Sequence, residues 1–146
     1  MMEASQRKGG FFMRNLGPDT NWPVFYMYPK FLLGMDLNET ARTVYMLLFD
    51  RAKLSIQNGW LDQDGRVFLY YTEEHLAADL NRTEATIRTA LRALEGLGLV
   101  RRKRQGAGRP NRIYVYFPEE AEIYDRKNDR SQTASKLTYS KNESKN

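Results

Sequence analysis

The chain of 146 residues contains no cysteine and a single histidine, His75. Disulfide bonds and thiolate metal sites are therefore excluded, and one histidine is too few for a histidine-based zinc site. No apolar run approaches the roughly 18 residues that a membrane-spanning helix needs, and residues 1–10 have no apolar core of signal-peptide length. We therefore expect a cytoplasmic protein of one modest domain with tails, without cofactor, metal ion or membrane contact.

Positive charge, in contrast, is abundant and unevenly distributed. Residues 82–112 hold nine Arg and Lys against two Glu, a local charge of +7, whereas the whole chain carries +5. The remainder of the chain therefore has a net charge of −2. Such a concentration of basic residues is typical of a surface that binds a polyanion, with duplex DNA as the foremost candidate.

Three helices are predicted from cap residues and apolar spacing. Asn38 is a favourable N-cap for a helix that ends near Gly59, and Thr72 caps a second helix over residues 73–80. After a tight turn, Thr83 caps a third helix, and the glycines that follow residue 95 are candidates for its end.

Three short strands are predicted over residues 66–71, 99–104 and 112–117, with a turn rich in Gly, Pro and Asn between the last two. The order helix, strand, helix, tight turn, helix, strand, wing, strand is that of a winged helix-turn-helix. We therefore predict an α+β fold of three helices and a small antiparallel sheet, in which a basic β-hairpin forms the wing.

Composition divides the chain into three parts. Residues 1–23 are predicted to be a flexible N-terminal arm, residues 24–118 the winged-helix DNA-binding domain, and residues 119–146 a polar linker or disordered tail.

Large apolar side chains are in excess before the first helix. They are Phe11, Phe12, Trp22, Phe25, Tyr26, Met27, Tyr28, Phe31 and Leu32. They could form the subunit interface of a homodimer, or they could simply cover the winged-helix core; both interpretations stay open.

The third helix has one apolar face and one face that suits a DNA groove. At about 100° per residue, the apolar side chains share a narrow arc: Ile87, Ala90, Leu91 and Leu94. The opposite side carries Ala85, Thr89 and Arg92, flanked by Thr86 and Arg88. Arg can donate two hydrogen bonds to guanine, and the methyl groups of Thr and Ala can contact the thymine methyl. An ordinary solvated face is the alternative, but such faces usually carry Glu as freely as Arg, and this one is poor in acid after Glu84.

The predicted wing is more basic than an ordinary edge hairpin. Residues 101–112 contain six Arg and Lys and no acid. Basic residues that protect an exposed strand edge would account for about two or three of these charges, not for all of them. Gly106 and Gly108 would also let the backbone approach a phosphate closely. The wing therefore favours contact with nucleic acid.

The candidate DNA-contacting residues belong to the third helix, the turn before it and the wing. They are Arg82, Thr83, Thr86, Arg88, Thr89, Arg92, Arg102, Lys103, Arg104, Arg109, Asn111 and Arg112. Those of the helix are candidates for reading bases, and those of the wing for contacting phosphate regardless of sequence.

Several stretches also resemble one family, the N-terminal domain of RepA_N-type plasmid replication initiators. The most specific stretch is residues 104–115, Arg-Gln-Gly-Ala-Gly-Arg-Pro-Asn-Arg-Ile-Tyr-Val. Residues 50–67, residues 71–75 and the aromatic segment 25–32 are similar as well, so the resemblance extends over roughly residues 11–118.

The resemblance implies a winged-helix domain that forms a homodimer and binds repeated double-stranded DNA sites at the origin of a plasmid or integrative element. It also implies a bacterial, Gram-positive source. Members of the family usually continue through a variable linker into a C-terminal domain thought to serve host-specific replication. The chain ends within a segment that resembles this linker. Origin binding therefore carries over, whereas contact with host replication proteins, through a C-terminal domain absent here, stays open.

Other function classes are weighed against the same residues. A winged-helix transcriptional regulator remains an alternative, because both classes bind specific DNA sites. A rolling-circle nicking enzyme would need a His-rich metal site, and this chain has a single histidine. That argues against such an enzyme, so we predict no enzymatic activity. A winged fold used for protein contacts alone would show no DNA binding at low salt.

Overall fold

Three helices begin at the polar residues that the sequence marks as caps. In the structure, a computed structural model that describes residues 6–121, Asn38 Oδ1 accepts a hydrogen bond from the Ala41 N–H at 2.8 Å. Thr72 and Thr83 cap their helices in the same way, at 3.0 and 3.1 Å. The helices are α1 (Glu39–Asn58), α2 (Glu73–Leu80) and α3 (Glu84–Gly96). The three predicted helices are confirmed.

The turn between α2 and α3 is short because Asn81 adopts a left-handed conformation, with φ of +55°. Asn tolerates this region better than most residues that carry a Cβ. The backbone N–H of Arg82 then bonds to the Ala77 carbonyl at 3.0 Å, which closes the end of α2. The chain therefore enters α3 immediately after α2, as a helix-turn-helix requires.

In the described part of the chain, four short strands form two separate antiparallel hairpins. They are β1 (Gln6–Lys8), β2 (Phe11–Met13), β3 (Val100–Lys103) and β4 (Arg112–Val115). β1 pairs with β2, and β3 pairs with β4 so that Val100 faces Val115 and Arg102 faces Ile113. The predicted wing hairpin is therefore confirmed, with both strands slightly shorter than expected.

The strand predicted over residues 66–71 is wrong as a continuous strand. Only Leu69 joins the wing sheet, through two backbone hydrogen bonds of 2.9 Å with Ile113. The residues before it belong to a closed loop, in which Asp62 Oδ1 accepts the N–H groups of Asp64 and Arg66 at 2.8 and 2.9 Å. Because this loop uses its hydrogen bonds internally, the apolar run over residues 67–71 does not form a continuous ladder with the wing.

A β-hairpin lies within the predicted N-terminal arm. Gly9 and Gly10 connect β1 to β2, and both have positive φ, +54° and +85°. This is the pattern of a two-residue hairpin turn, which two consecutive glycines adopt readily. The glycine pair was thus the sequence signal for the hairpin. Residues 1–5 of the predicted arm and 122–146 of the predicted tail lie outside the described residues.

One apolar core lies between the helices and the inner face of the wing hairpin. The predicted buried stripe of α3 is confirmed, since Ile87, Ala90, Leu91 and Leu94 are each at most 1% exposed. In α1, Tyr45 is fully buried and its hydroxyl donates to the Tyr116 carbonyl at 2.8 Å. Within residues 6–121, no helix is both long and apolar enough to cross a membrane.

Candidate nucleic-acid interface

The outward face of α3 is polar and open to solvent. Thr86, Thr89 and Arg92 are exposed on the side opposite the buried stripe. The hydroxyl of Thr89 donates to the Ala85 carbonyl at 3.1 Å, and that of Thr86 shares a hydrogen bond with the Thr83 hydroxyl at 2.9 Å. Arg92 has no ion pair with any residue in the described part of the chain. Its guanidinium is therefore available to a ligand.

The wing hairpin has two faces with different surroundings. In the observed register, Val100, Arg102 and Ile113 share the face that lies against the core and the helices. The other face carries Arg101, Lys103, Arg112 and Tyr114. The cations predicted along the wing are therefore divided between two environments.

Arg102 is held within the protein by two carboxylates. Its Nε and a terminal nitrogen pair with the two oxygens of Glu95, at 2.9 and 3.0 Å, and the other terminal nitrogen pairs with Glu73 at 3.1 Å. The hydrogen bond and charge of Glu95, followed by those of Glu73, raise the pKa of Arg102 further above its ordinary value. The structure thus gives this predicted phosphate contact two internal partners.

Arg88 also has an internal partner, but a less extensive one. Its Nε donates to Glu73 Oε1 at 3.2 Å, and its side chain remains 42% exposed. Glu73 therefore lies between Arg88 of α3 and Arg102 of β3.

Arg112 packs on the outer face of the wing among aromatic rings. Its guanidinium lies 4.3 Å from the centroid of the Phe68 ring. The hydroxyls of Tyr114 and Tyr70 raise the pKa of Arg112 further. Tyr114 in turn donates to Asp62 Oδ2 at 2.9 Å. Residues 60–70 therefore pack against the outer face of the wing, and the side chain of Arg112 is part of this contact.

The wing tip is closed by its own hydrogen bonds. Gly106 and Gly108 have positive φ, +119° and +77°, which a turn of this shape requires. Gln105 Nε2 donates to the Pro110 carbonyl at 2.8 Å and to the Tyr70 hydroxyl at 3.3 Å. These bonds tie both sides of the tip together and leave Arg109 exposed next to it.

A cleft of about 440 Å³ lies between the wing and the starts of α2 and α3. From the wing it is lined by Arg102, Arg109 and Asn111, and from the helices by Glu73, Glu74 and Glu84. The wing tip and the first turn of α3 therefore lie on the two sides of one cleft.

Five of the candidate cations are exposed and form no ion pair within residues 6–121: Arg82, Arg92, Lys103, Arg104 and Arg109. Arg88, Arg102 and Arg112, in contrast, have partners inside the protein. The predicted cluster of cations therefore consists of two groups. The first group is exposed and forms no ion pair in the described residues, and the second group is held by side chains of the protein itself.

The sequence did not point to the residues that hold the second group of cations, which are Glu73, Glu95, Phe68 and Tyr70. Glu73 and Glu95 pair with arginines that lie between 7 and 29 positions away. Phe68 and Tyr70 contact the wing on either side of Leu69, which bonds to β4. Local sequence patterns do not encode pairs at such separations, although Glu95 is an acid within the basic region 82–112 and so was a local signal for an ion pair.

Most of the apolar residues before α1 do not pack into the core. Phe31 and Leu32 are buried, but Trp22, Phe25 and Tyr26 are 68%, 66% and 50% exposed. The interpretation that the segment covers the core therefore accounts for only its last residues.

Comparison with known proteins places this geometry among related domains. Residues 24–128 match the family model described as "Replication initiator protein A (RepA) N-terminus". A curated relative, a "41 kDa protein" of Lactobacillus helveticus, is 32% identical over 120 residues, which cover 75% of this chain and 34% of the relative. The chain thus spans about a third of the length of that relative.

Solved structures show the same similarity. One titled "N-Terminal domain of DNA binding protein" has a TM-score of 0.60 and 28% identity, over 82% of this chain and 88% of its own. One titled "Structure of Rep-DNA complex" has a TM-score of 0.59 with the same identity and the same coverage of both chains. A third, "Structure of MDR initiator", has a TM-score of 0.55 and 30% identity, over 73% and 91% of the two chains. The winged-helix fold predicted from the sequence is confirmed.

Proposed function

The chain belongs to the family of replication initiator protein A N-terminal domains, and from this premise we propose that it binds specific sites in double-stranded DNA as the origin-binding domain of a plasmid or mobile-element initiator. The observation that carries the proposal is the group of exposed cations that form no ion pair within residues 6–121, which lie at the turn before α3, on α3 and on the wing: Arg82, Arg92, Lys103, Arg104 and Arg109. A related domain solved in a "Rep-DNA complex" supports it.

In the proposed complex, α3 lies in the major groove. Arg92, Thr86 and Thr89 then face base edges, where Arg recognises guanine and the Thr methyl group recognises thymine. The wing lies on phosphate or in the adjacent minor groove, with Arg104 and Arg109 as phosphate contacts. Arg82, at the turn before α3, lies where a helix-turn-helix crosses the backbone.

Selection of bound sequences from a library of random duplexes tests the proposal. Enrichment of one motif in direct repeats supports an initiator that binds repeated origin sites. A single palindrome would favour a transcriptional regulator instead. No enrichment and no binding even at low salt would contradict DNA binding altogether.

We also propose that the protein acts as a homodimer through its N-terminal apolar segment. Trp22, Phe25 and Tyr26 form an exposed aromatic surface of the kind that is enriched in subunit interfaces. Sedimentation of the wild type against a variant with Trp22→Ser and Phe25→Ser checks this. A wild type that stays monomeric at high concentration would rule the dimer out.

The remaining parts of the proposal concern the cell. We propose that the protein has no enzymatic activity of its own, that it works in the cytoplasm, and that host replication proteins are contacted through a C-terminal domain outside this chain. Incubation with supercoiled plasmid and Mg²⁺ or Mn²⁺ tests the first point, because efficient nicking would overturn it.

A further inference from the structure

Glu73 contacts two of the candidate DNA-contacting arginines at once. Its Oε1 pairs with Arg88 Nε of α3 at 3.2 Å, and its Oε2 pairs with Arg102 of β3 at 3.1 Å. The carboxylate lies in the first turn of α2, where the helix dipole favours a negative charge. One side chain of the supporting helix therefore reaches both the helix and the wing of the proposed interface.

The two arginines differ in how firmly they are held. Arg102 has a second, bidentate partner in Glu95, and its side chain is 20% exposed. Arg88 has Glu73 as its one ion-pair partner within residues 6–121, and it is 42% exposed. Loss of the Glu73 charge therefore releases Arg88 and leaves Arg102 in place.

We infer that Glu73 is a specificity-determining residue, which lowers the affinity for random DNA by holding Arg88 away from phosphate. The inference rests on the proposed function. Random duplexes are bound almost entirely through contacts between cations and phosphates. Neutralisation of Arg88 by Glu73 therefore directly weakens binding to random DNA. The proposed base contacts of Arg92 do not depend on the ion pair between Glu73 and Arg88, so the affinity for a preferred site is lowered less than the affinity for random DNA. The ratio of the two affinities rises as a result.

The test is Glu73→Gln, which keeps the size of the side chain and removes its charge. Binding of a short fluorescent duplex of random sequence is measured over a range of salt concentrations. We expect the affinity at 0.1 M salt to rise about threefold or more, and the slope of log K against log salt to steepen by about one unit. For the sequence selected by the wild type, the gain is smaller, so the ratio of selected to random affinity falls.

Glu74→Gln is the matched control. Glu74 lies in the same first turn and lines the same cleft, and it has no ion pair in the described part of the chain. Both variants remove one negative charge from the same place, but only Glu73→Gln frees an arginine. An equal effect of the two variants would overturn the inference, because it would show that the loss of one negative charge, and not the release of Arg88, causes the gain in affinity.

Two further variants separate release of Arg88 from a change in folding. In the double variant Glu73→Gln/Arg88→Ala, the gain in random binding and the steeper slope disappear. Arg88→Ala alone leaves the random slope of the wild type unchanged, because that arginine is already neutralised. If Glu73→Gln weakens both duplexes in parallel with an unchanged slope, Glu73 has only a structural role and the inference fails. Failure of the wild type to bind any duplex would instead refute the proposed function.

Discussion

The guanidinium of Arg102 forms a bidentate ion pair with the carboxylate of Glu95, with nitrogen-to-oxygen distances of 2.9 and 3.0 Å. Glu95 is in the last turn of α3, and Arg102 is in the middle of β3. The pair therefore joins the end of the proposed recognition helix to the base of the wing. The angle between the two parts of the interface is set inside the protein, before any DNA is bound.

This pair predicts that Arg102→Ala acts mainly on stability. The substitution leaves Glu95 and Glu73 without their common partner, and we expect a loss of about 1–2 kcal/mol in the free energy of unfolding. Chemical denaturation measures it. Arg101→Ala, on the outer face of the same strand, is the control and should change stability by less than about 0.5 kcal/mol. Equal losses for the two variants would contradict the role of the ion pair.

Arg92→Ala should lower binding to the selected site by about 1–3 kcal/mol, because a bidentate contact with a base is lost. Binding to random duplexes should fall much less. Fluorescence anisotropy on both duplexes gives the two values. Arg92→Lys keeps the charge but not the bidentate geometry, so it should restore random binding and not selective binding. Identical losses on both duplexes would show that α3 does not read the bases.

Arg109→Ala should weaken binding to selected and random duplexes alike. Arg109 is exposed next to the wing tip and has no ion pair within residues 6–121, so its expected partner is a phosphate. The slope of log K against log salt should become shallower by about one unit. A salt titration of the wild type and the variant measures the change. An unchanged slope would remove the wing tip from the DNA contacts.

Ile87→Asp and Leu91→Asp should each unfold the domain. Both side chains are at most 1% exposed, and an unpaired carboxylate at either place would be buried in the core. Circular dichroism should show loss of the helical signal at room temperature. Ala93→Asp, at an exposed position of the same helix, is the control and should stay folded. A folded, cooperative Leu91→Asp variant would contradict the described core.

Stability should fall as the pH rises above about 10. Burial raises the pKa of the Tyr45 hydroxyl, and burial together with the hydrogen bond to Asp79 raises that of Tyr71. The folded protein therefore keeps protons that the unfolded chain releases above pH 10, so this stabilisation is complete below pH 10 and is lost as the pH rises through the raised values. Thermal melts between pH 8 and about 11 test it. Tyr45→Phe should show a shallower decline than the wild type, and an identical decline would contradict the prediction.

Much of the secondary structure could be predicted because its signals are local. The cap at Thr83 and the apolar stripe from Ile87 to Leu94 specify α3 through contacts within a few residues. The turn glycines Gly106 and Gly108 specify the wing in the same way. The prediction of a continuous strand over residues 66–71 is wrong because Asp62 binds the backbone N–H groups of the preceding loop. The hairpin at Gly9 and Gly10 was not predicted, although its signal is local.

By itself, the sequence determined the order of the three helices and the wing, the buried face of α3 and the basic charge of the region that follows, since these depend on caps, periodicity and composition. Only the tertiary structure decided which cations are free. Arg88 and Arg109 look equivalent in the chain, yet the first meets Glu73 of α2 and the second has no carboxylate partner within residues 6–121. The physical reason is that an ion pair depends on a distance of about 3–4 Å between charged atoms, and that distance is set by how the helices pack, not by their separation along the chain.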